Sequence, residues 1–472
     1  MKFVVKPVWT YVVTEDRLVH SLIDDVLTVV VQGYWYSKAY KMGIWDGKKR
    51  FYDSVRRRFL TGFLFRVLER LYEKGVKMTV EGDGYMVGAD EAVDVSDLML
   101  SGVDEERWKK TQLPVLQRML QMRRCSVKMA TGSGKTEVVA GLCKALSDKK
   151  VLVLVHRIEL LEQTVKRFEE RIGEKVGRIS SDAVDLQRIN VGMVQSVWSK
   201  LPKLGDWLKD GVDVLVIDEC HHTGAQTWIK VSLACGARWR YGLSGTPITR
   251  NEVRDMWLVG LTGEPILGVG VRELVEMGYA VEPVVRFVSV PLVLEKEVDW
   301  WEEFDRVFGS EEMLEVLEGV VKLHSRENLV VFVERLKHGV KVERYLRERG
   351  YRVVFTHGGL QHWVRVRIME DMKKGRYDVV VATTIFDEGV DVTGITGVVF
   401  WCSNKSIVRI LQRIGRALRV EEGKECAYVY DFVVDGKYLR KHLNERVKLY
   451  KKEKFGAELY VWDKENKVLR RV

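Results

Sequence analysis

Ala130-Thr131-Gly132-Ser133-Gly134-Lys135-Thr136 is the stretch that decides the fold. A short possible strand, Ser126 to Met129, precedes it, and an apolar pattern with helical spacing, Val138 to Leu146, follows it. In a strand, loop and helix of this kind, glycines let backbone N–H groups turn inward around phosphates, lysine supplies charge, and threonine offers a hydroxyl to Mg²⁺. The stretch therefore predicts a nucleotide phosphate loop. Its predicted ligands are Thr131, Gly132, Ser133, Gly134, Lys135 and Thr136.

The loop alone is not decisive, because Met129 stands where the usual pattern has a glycine and a chance glycine-rich turn stays open. A second element supports the nucleotide site: the apolar run Val212 to Ile217 ends in Asp218-Glu219-Cys220-His221-His222. The carboxyl end of a parallel strand is where α/β folds bind ligands. We expect Asp218, with Thr136, to hold Mg²⁺ through the nucleotide, and Glu219 to orient and deprotonate the attacking water.

Short β-branched runs separated by helical segments occur twice along the chain, which is typical of parallel strands buried on both faces. The fold class predicted is α/β, with two parallel-sheet domains in tandem and a small N-terminal α+β accessory domain. The predicted domains are residues 1–105 (basic accessory domain with an acidic connector), 106–282 (first α/β domain), 283–440 (second α/β domain, with a helical insertion near 295–320) and 441–472 (a basic C-terminal tail).

Composition narrows the class of protein. The 472 residues exceed what one core usually organises, and 46% hydrophobic with 31% charged residues excludes a disordered or fibrous chain. Neither a signal peptide nor a run of about twenty apolar residues is present, so we expect a soluble intracellular protein without a membrane partner. The net charge of +10 favours a polyanionic partner, although a merely basic surface fits it equally well.

The first eighty residues interleave basic and aromatic side chains. Such a segment is suited to phosphate contacts with rings available for stacking, while a solvated helix face explains the same pattern. The candidate phosphate strip consists of Lys48, Lys49, Arg50, Arg56, Arg57 and Arg58.

The order of these motifs gives a specific resemblance. The phosphate loop, Asp218-Glu219-Cys220-His221, Ser244-Gly245-Thr246 and Gln412-Arg413-Ile414-Gly415-Arg416-Ala417-Leu418-Arg419 follow one another as in superfamily 2 helicases. The resemblance covers about Leu113 to Val433 and implies two RecA-like domains that use ATP and Mg²⁺.

Family membership would also assign further roles. It implies that Arg416 and Arg419 are arginine fingers, a role that suits the permanently charged, planar guanidinium. It implies that Gln412 senses the γ-phosphate and contacts His221, that Asp391 contacts ribose, and that Ser244 and Thr246 couple the nucleotide site to domain movement. Gln117 matches an adenine-contacting glutamine, although an ordinary surface glutamine fits as well. The implied nucleic-acid contacts are His156, Arg157, Gln195, Ser196, His357, Gly358, Thr383 and Thr384.

The substrate class rests on finer features. Asp-Glu-Cys-His and Glu388-Gly389-Val390-Asp391 differ from the motifs of most RNA-unwinding members and favour DNA. The segments Met42-Gly43-Ile44-Trp45-Asp46-Gly47-Lys48 and Thr61-Gly62-Phe63-Leu64 are similar to the head of UvsW-type phage helicases. XPB-like helicases and restriction-enzyme motor subunits are more distant matches.

The UvsW resemblance implies an ATP-dependent helicase that remodels branched DNA by fork regression, branch migration and unwinding of D-loops or R-loops, in DNA recombination, repair and replication. Its expected partners are single-stranded, duplex or branched DNA, RNA–DNA hybrids, and recombination or single-strand-binding proteins. We expect a monomer on DNA, in the cytoplasm of a bacterium or a phage-infected host. An RNA helicase or an ATP-gated nucleic-acid clamp remains an alternative.

Overall fold

The computed structural model describes residues 1–82, 92–249, 251–293, 298–324, 328–383, 394–401, 410, 414–415, 417–418, 420 and 424–472. The chain divides into two compact units, Met1–Gly270 and Val271–Val472. Each unit contains one large sheet of mostly parallel strands. The predicted fold class, two RecA-like domains with a small N-terminal α+β region, is confirmed.

An N-terminal module opens the first unit. Its five-stranded sheet has the order β5-β6-β2-β1-β7, and β3 and β4 form a separate two-stranded ribbon. The elements are β1 (Lys2–Val5), β2 (Trp9–Val13), α1 (Arg17–Val26), β3 (Thr28–Val30), α2 (Lys38–Lys41), β4 (Lys48–Arg50), β5 (Tyr52–Asp53), β6 (Arg58–Leu60), α3 (Leu64–Glu73) and β7 (Thr79–Gly82).

The first large sheet follows, with the order β11-β10-β12-β9-β13-β14-β8-β15. Its strands are parallel except for the antiparallel β10 and β11 pair. Its elements are α4 (Glu105–Arg107), α5 (Leu113–Leu120), β8 (Arg124–Lys128), α6 (Lys135–Ala145), β9 (Val151–Val155), α7 (Ile158–Ile172), β10 (Val176–Ile179), β11 (Val184–Asp185), β12 (Ile189–Met193), α8 (Val194–Ser199), α9 (Leu201–Asp210), β13 (Val214–Asp218), α10 (Gln226–Ala234), β14 (Trp239–Ser244), α11 (Glu252–Thr262) and β15 (Pro265–Leu267).

The N-terminal module and the first sheet domain share one hydrophobic core. Phe59 and Phe63 of the module belong to the same buried cluster as Met256 and Val259 of α11. The contact is close: a Cβ atom added at Gly62 would lie 1.9 Å from the carbonyl oxygen of Val259. The module is therefore fixed to the first sheet domain by apolar packing. The predicted boundary near residue 105 lies inside the first compact unit, Met1–Gly270.

An ion pair reinforces this junction. Arg66 of α3 donates to both carboxylate oxygens of Glu264, at 2.9 and 3.0 Å. Arg124 also donates to the carbonyl oxygen of Pro7. A bidentate arginine–carboxylate pair fixes orientation as well as distance. The junction thus combines apolar packing with a geometrically specific pair.

The second unit contains a sheet of order β18-β19-β17-β20-β21-β16-β22-β23, in which the β22 and β23 pair is antiparallel. Its elements are α12 (Val271–Glu276), β16 (Glu282–Val293), α13 (Trp300–Phe308), α14 (Glu311–His324), β17 (Leu329–Val333), α15 (Leu336–Arg347), β18 (Val353–Thr356), α16 (His362–Lys373), β19 (Val379–Ala382), β20 (Gly397–Trp401), β21 (Cys426–Asp435), α17 (Lys437–Lys452), β22 (Gly456–Asp463) and β23 (Val468–Arg471).

The predicted C-terminal tail and the predicted helical insertion are both part of the packed second domain. Residues 441–472 do not form a tail, because they supply most of α17 and the last two strands of the sheet, with Trp462 in the core. The predicted helical insertion near 295–320 corresponds to α13 and α14, whose Phe304 and Leu317 belong to the same core. Both segments are integral parts of the second domain.

No helix among the described residues is long and apolar enough to cross a membrane.

Candidate active site

The phosphate loop joins β8 to α6. Gly132 and Gly134 have φ angles of +81° and +90°, a region that favours glycine, and Gly134 directly precedes α6. Backbone bonds tie the loop to neighbouring segments: Met129 N donates to Ser244 O at 3.0 Å and Ala130 N donates to Val269 O at 2.9 Å. The loop is thus preformed, with the positive end of α6 available to an anion.

Met129, the departure from the usual glycine, has a packing role. Its side chain is fully buried, and a Cβ atom added at Gly268 would lie 2.6 Å from its Cγ atom. The methionine therefore fills space beneath the loop, and the neighbouring glycine makes room for it.

The two acidic residues lie where β13 ends. Glu219 has φ 46° and ψ 52°, a left-handed conformation that is uncommon for a residue with a side chain and is concentrated at functional sites. Its backbone N–H donates to Asp218 Oδ1 at 2.9 Å, and its Oε1 atom lies 4.0 Å from Lys135 Nζ. The fold thus brings the phosphate-loop lysine beside the predicted base.

The pKa of Asp218 is raised to about 6, mainly by burial and also by the neighbouring Glu219 carboxylate, while the charge of Lys135 acts in the opposite direction. Two adjacent carboxylates at a buried position repel each other, which a divalent cation relieves. Thr136, exposed on the first turn of α6, adds a hydroxyl. These oxygen donors fit Mg²⁺.

A hydrogen-bond network holds Glu219. Ser244 Oγ donates to Glu219 Oε2 at 3.2 Å and accepts from the Thr246 N–H at 3.1 Å. His221 Nδ1 lies 3.0 Å from Ser244 Oγ and 3.2 Å from Glu219 Oε2. His221, Ser244 and Thr246 therefore meet at the predicted base, in the positions where they could report its state to the rest of the domain.

The network continues through aromatic rings toward a predicted nucleic-acid contact. The ring centroids of His221 and His222 are 4.1 Å apart, and those of His222 and His156 are 4.8 Å apart. In the part of the chain that the structure describes, no group of His, Cys, Asp and Glu side chains is arranged to hold a metal ion. These histidines form a packed row from the base to the end of β9.

Gln112 is a residue that the sequence reasoning missed. Its side chain is 2% exposed, and its Nε2 atom donates to the phosphate-loop carbonyl of Ser133 at 3.0 Å. Its Oε1 atom is buried and has no hydrogen-bond partner among the described residues. Gln117, the predicted adenine contact, lies half-buried on α5. Gln112 is the glutamine that touches the phosphate loop.

The local backbone explains this placement. Residues Trp108–Gln112 form a π-helical turn, a rare conformation that is frequent at functional sites. The turn also places Arg107 so that its guanidinium donates to the carbonyl oxygen of Gly132. Two successive loop carbonyls, those of Gly132 and Ser133, are therefore held from the same turn. A glutamine directly before an apolar helix was the available signal, but its side-chain direction depends on the π turn.

The predicted nucleic-acid contacts of the first unit lie at strand ends. His156 and Arg157 follow β9, and Gln195 and Ser196 lie at the start of α8, directly after β12. β9 and β12 are neighbouring parallel strands, so these residues share one edge of the sheet. Gln195 is exposed, whereas Ser196 is buried.

In the second unit, His357 and Gly358 follow β18, and Thr383 follows the neighbouring strand β19. Thr383 N donates to Thr356 O at 3.3 Å, which brings these two strand ends together. Five predicted residues lie outside the described residues: Thr384, Asp391, Gln412, Arg416 and Arg419.

In the candidate phosphate strip the four arginines form ion pairs, whereas the two lysines are exposed. Arg50 pairs with Asp46 at 2.6 Å, and Arg57 pairs with Glu15 at 2.6 Å. Arg56 and Arg58 both contact Asp53, at 3.3 Å. Lys48 and Lys49 lie exposed on β4. Much of the positive charge of the strip is thus already balanced by carboxylates.

Comparison with known proteins gives two family matches. Residues 105–249 match the family described as type III restriction enzyme, res subunit, and residues 312–421 match the helicase conserved C-terminal domain. The DNA 3'-5' translocase XPB2 of Sulfurisphaera tokodaii is 22% identical over 425 residues, which cover 77% of this chain and 94% of that protein. The chain spans 60% and 54% of the length of two further curated relatives.

Solved structures are also similar. A fragment of a putative HsdR subunit of a type I restriction enzyme from Vibrio vulnificus YJ016 is 18% identical with a TM-score of 0.61, covering 87% of this chain and 75% of the other. The UvsW protein of bacteriophage T4 is 20% identical with a TM-score of 0.46, covering 98% of this chain and 99% of the other.

Proposed function

This chain belongs to the superfamily 2 helicases, and we propose that it is an ATP-dependent DNA helicase or translocase that remodels branched DNA. The observation that carries the ATPase part is the 4.0 Å approach of Lys135 Nζ to Glu219 Oε1, with Ser244 and His221 bonded to the same carboxylate. A cation for the outer phosphates and a positioned base are the two protein groups that phosphoryl transfer to water needs.

The first-unit residues perform distinct tasks in this proposal. Backbone N–H groups of the phosphate loop and the first turn of α6 bind the phosphates, and Lys135 balances their charge. Glu219 accepts a hydrogen bond from water and takes its proton as the water oxygen bonds to the γ-phosphorus and the bond to ADP breaks. Ser244 and His221 hold the carboxylate in the orientation this requires. A bound Mg²⁺, for which Thr136 and Asp218 are the ligands present, would neutralise charge on the phosphate oxygens.

Gln112 has a binding role in the same proposal. By holding the Ser133 carbonyl it keeps the loop N–H groups turned inward, and its unpartnered Oε1 atom is a buried acceptor that a nucleotide N–H group could satisfy. We therefore propose Gln112, in place of Gln117, as the glutamine that contributes to nucleotide binding. Gln412, Arg416, Arg419 and Asp391 remain proposed contributors from the second domain, on the strength of the motif resemblance.

Branched DNA is the finer part of the proposal. Its support is the N-terminal head, whose Trp45-Asp46-Gly47 and Thr61-Gly62-Phe63 segments resemble the head of UvsW-type helicases. In the structure the second segment is buried at the junction with the first sheet domain, so the head, which is the N-terminal module, packs directly against the core of that domain. The motif resemblance also supports a monomeric motor on DNA, with recombination or single-strand-binding proteins as partners.

The test is an ATPase and strand-displacement panel over single strands, DNA duplexes, RNA duplexes, forks, four-way junctions and RNA–DNA hybrids, with Lys135→Ala as the inactive control. We expect DNA-stimulated hydrolysis and ATP-dependent displacement that is fastest on forks and junctions. Hydrolysis without displacement on any of these would identify a clamp, and displacement confined to RNA duplexes would identify an RNA helicase. Either result would overturn the proposal.

A further inference from the structure

A group of exposed rings stands at the end of the β3–β4 ribbon. We infer that this group, called here the aromatic tip (residues 34–45), binds the unpaired bases of single-stranded nucleic acid while neighbouring lysines contact the phosphates. The inference rests on the proposed function and names the part of the head that meets the strand.

Exposure is the first observation. Tyr36 is 77% exposed, Trp35 50%, Ile44 72% and Met42 61%. Large apolar side chains scattered singly on a surface need no explanation, but contiguous exposed patches mark interaction sites. These four side chains belong to one ten-residue segment, in which the Trp35 and Tyr36 ring centroids are 5.6 Å apart and Ile44 N donates to Ala39 O at 2.9 Å. We therefore treat the aromatic tip as such a patch.

Internal contacts hold the aromatic tip in shape. The Tyr34 and Tyr40 rings meet edge to face at 4.6 Å, and Trp45 Nε1 donates to Lys48 O at 2.8 Å. Gly47 has φ +78°, and a Cβ atom there would lie 2.5 Å from the Tyr34 ring. Because these contacts fix the backbone around the exposed rings, binding a base costs little ordering of the protein.

Charge is the second observation. Lys38 and Lys41 lie within the aromatic tip, and Lys48 and Lys49 follow it in sequence, with Lys49 Nζ over the Phe51 and Trp257 rings at the anchor of the ribbon. The only carboxylate between residues 31 and 49 is Asp46, which pairs with Arg50 at 2.6 Å. Within the described parts of the chain, no carboxylate lies within ion-pair distance of these four lysines. The arginines at 56–58, by contrast, are all paired with carboxylates. Uncompensated positive charge therefore coincides with the exposed rings.

Exposed rings with lysines nearby are suited to binding a single-stranded nucleic acid. Every base has a π face, so stacking tolerates any sequence, while lysines follow the backbone charge. A duplex offers phosphates but hides its base faces within the stack. The exposed rings therefore favour unpaired bases over an intact duplex.

The location of the aromatic tip supports nucleic acid as its ligand. The ribbon is anchored where Phe51 meets Trp257 of α11, with ring centroids 5.2 Å apart. α11 begins at Glu252, eight residues after Ser244 of the network around the proposed base. The ribbon that carries the aromatic tip thus packs on α11, the helix that follows Ser244 and Thr246. The tip and the proposed base therefore belong to the same unit, as expected for a segment that binds the substrate of the motor.

The experiment measures equilibrium binding of the full chain to a labelled 20-nucleotide oligo-dT and to a blunt duplex, without ATP and across salt concentrations. Replacing Trp35 and Tyr36 together with Ala should weaken oligo-dT binding about 10-fold or more, because stacking energies of this size are typical for each ring, and should leave duplex binding unchanged. Trp35→Phe with Tyr36→Phe should restore binding. Tyr72→Ala, at an 80% exposed ring of α3, is the matched control and should change nothing.

The lysines give an independent readout. Replacing Lys38 and Lys41 with Ala should reduce the slope of log affinity against log salt by about 1.4, because each single-strand phosphate contact contributes about 0.7. DNA-free ATPase should stay at the level of the unmodified chain in every variant. Unchanged oligo-dT binding, or equal losses on oligo-dT and duplex, would overturn the inference. Loss of binding to phosphatidylserine vesicles with oligo-dT binding retained would assign the tip to a membrane surface and overturn it as well.

These outcomes are separable from those of the proposed function. If the chain fails to displace strands, the oligo-dT measurement still decides what the aromatic tip binds. If the tip variants bind normally, the motor proposal stands on the ATPase and displacement panel.

Discussion

The Ser244 hydroxyl donates a 3.2 Å hydrogen bond to Glu219 Oε2, joining the end of β14 to the residue after β13. β13 and β14 are adjacent and parallel, so their carboxyl ends meet at one edge of the sheet. A base that must orient water depends on its own orientation, and here that orientation is supplied by a neighbouring strand. Any movement of the Ser244-Gly245-Thr246 segment is therefore transmitted directly to the carboxylate.

Ser244→Ala should slow ATP turnover by about 10- to 150-fold, because hydrogen bonds to charged groups contribute about 1.5–3 kcal/mol. The affinity for ATP should change less than about threefold, since the hydrogen bonds of the Ser244 hydroxyl go to His221, Glu219 and the Thr246 N–H rather than to the phosphate loop. Steady-state ATPase and equilibrium nucleotide binding measure the two effects. Ser232→Ala, at a buried serine of α10, is the control and should keep normal turnover. Equal turnover in both variants would remove Ser244 from the mechanism.

Glu219→Gln should retain ATP binding and lose at least about 100-fold in turnover, because an amide cannot take the proton from water. Lys135→Ala should instead weaken ATP binding itself, since it removes the charge that faces the outer phosphates. Nucleotide titrations and single-turnover hydrolysis distinguish these patterns. If Glu219→Gln keeps turning over at the normal rate, another group is the base.

Gln112→Ala should weaken ATP binding about 10-fold, because it removes the hydrogen bond to the Ser133 carbonyl and the packing beneath the loop. Gln117→Ala should change binding by less than about twofold, since Gln117 lies half-buried on α5. The two variants form a matched pair on adjoining helical turns. A larger loss in Gln117→Ala than in Gln112→Ala would restore Gln117 as the nucleotide contact.

The site is predictable from sequence where its chemistry is local. The phosphate loop and Asp218-Glu219 each follow one buried strand, and a single strand–loop unit sets the geometry of each motif. Gln112 was not predictable in this way, because its side chain reaches Ser133 only through the π-helical turn that ends at Gln112 itself. Propensity and periodicity do not indicate such turns.

The C-terminal segment shows the same limit for the fold. Its many basic residues predicted a tail because the carboxylates that pair with them are remote in sequence. Lys464 pairs with Glu312 at 3.0 Å, and Lys467 pairs with Glu315 at 2.6 Å. Trp462 packs in the core of the second domain. Local composition reports the charge of a strand but not the partners that balance it, so β22 and β23 became visible only in the structure.

His338 gives the second domain a pH dependence. Its pKa is lowered from 6.5 to about 4, mainly by burial and also by the charges of Lys337 and Arg335, while Asp305 acts in the opposite direction. The folded chain keeps the imidazole neutral between these values while the unfolded chain binds a proton, so stability rises with pH from about 4 to about 6.5. At pH 5 the loss relative to pH 7 is about 2 kcal/mol.

His338→Gln should therefore be less sensitive to acid than the unmodified chain. The fall in Tm between pH 7 and pH 5 should be smaller in the variant by roughly 4–8 °C, at about 2–4 °C per kcal/mol for a domain of this size. Asp305, 3.1 Å from the His338 ring, has a lowered pKa and stays ionised between pH 5 and pH 7. Titrating groups that do not contact His338 are common to both chains and cancel in the difference. An identical fall in both would show that His338 does not titrate in this way.

Gly62→Ala tests the junction between the N-terminal head and the first sheet domain. A Cβ atom at this position would lie 1.9 Å from Val259 O and 2.6 Å from Gly260 O, and both are backbone atoms that cannot swing aside. Overpacking of a core by one carbon typically costs about 1–3 kcal/mol, so at about 2–4 °C per kcal/mol we expect Tm to fall by roughly 2–12 °C. Gly205→Ala in α9 is the control: its Cβ meets nothing within 4 Å, and alanine in a helix should leave Tm unchanged or raise it. Equal Tm values for the two variants would mean that the head is not packed on α11, and the aromatic tip would then lose its fixed mount beside the coupling segment.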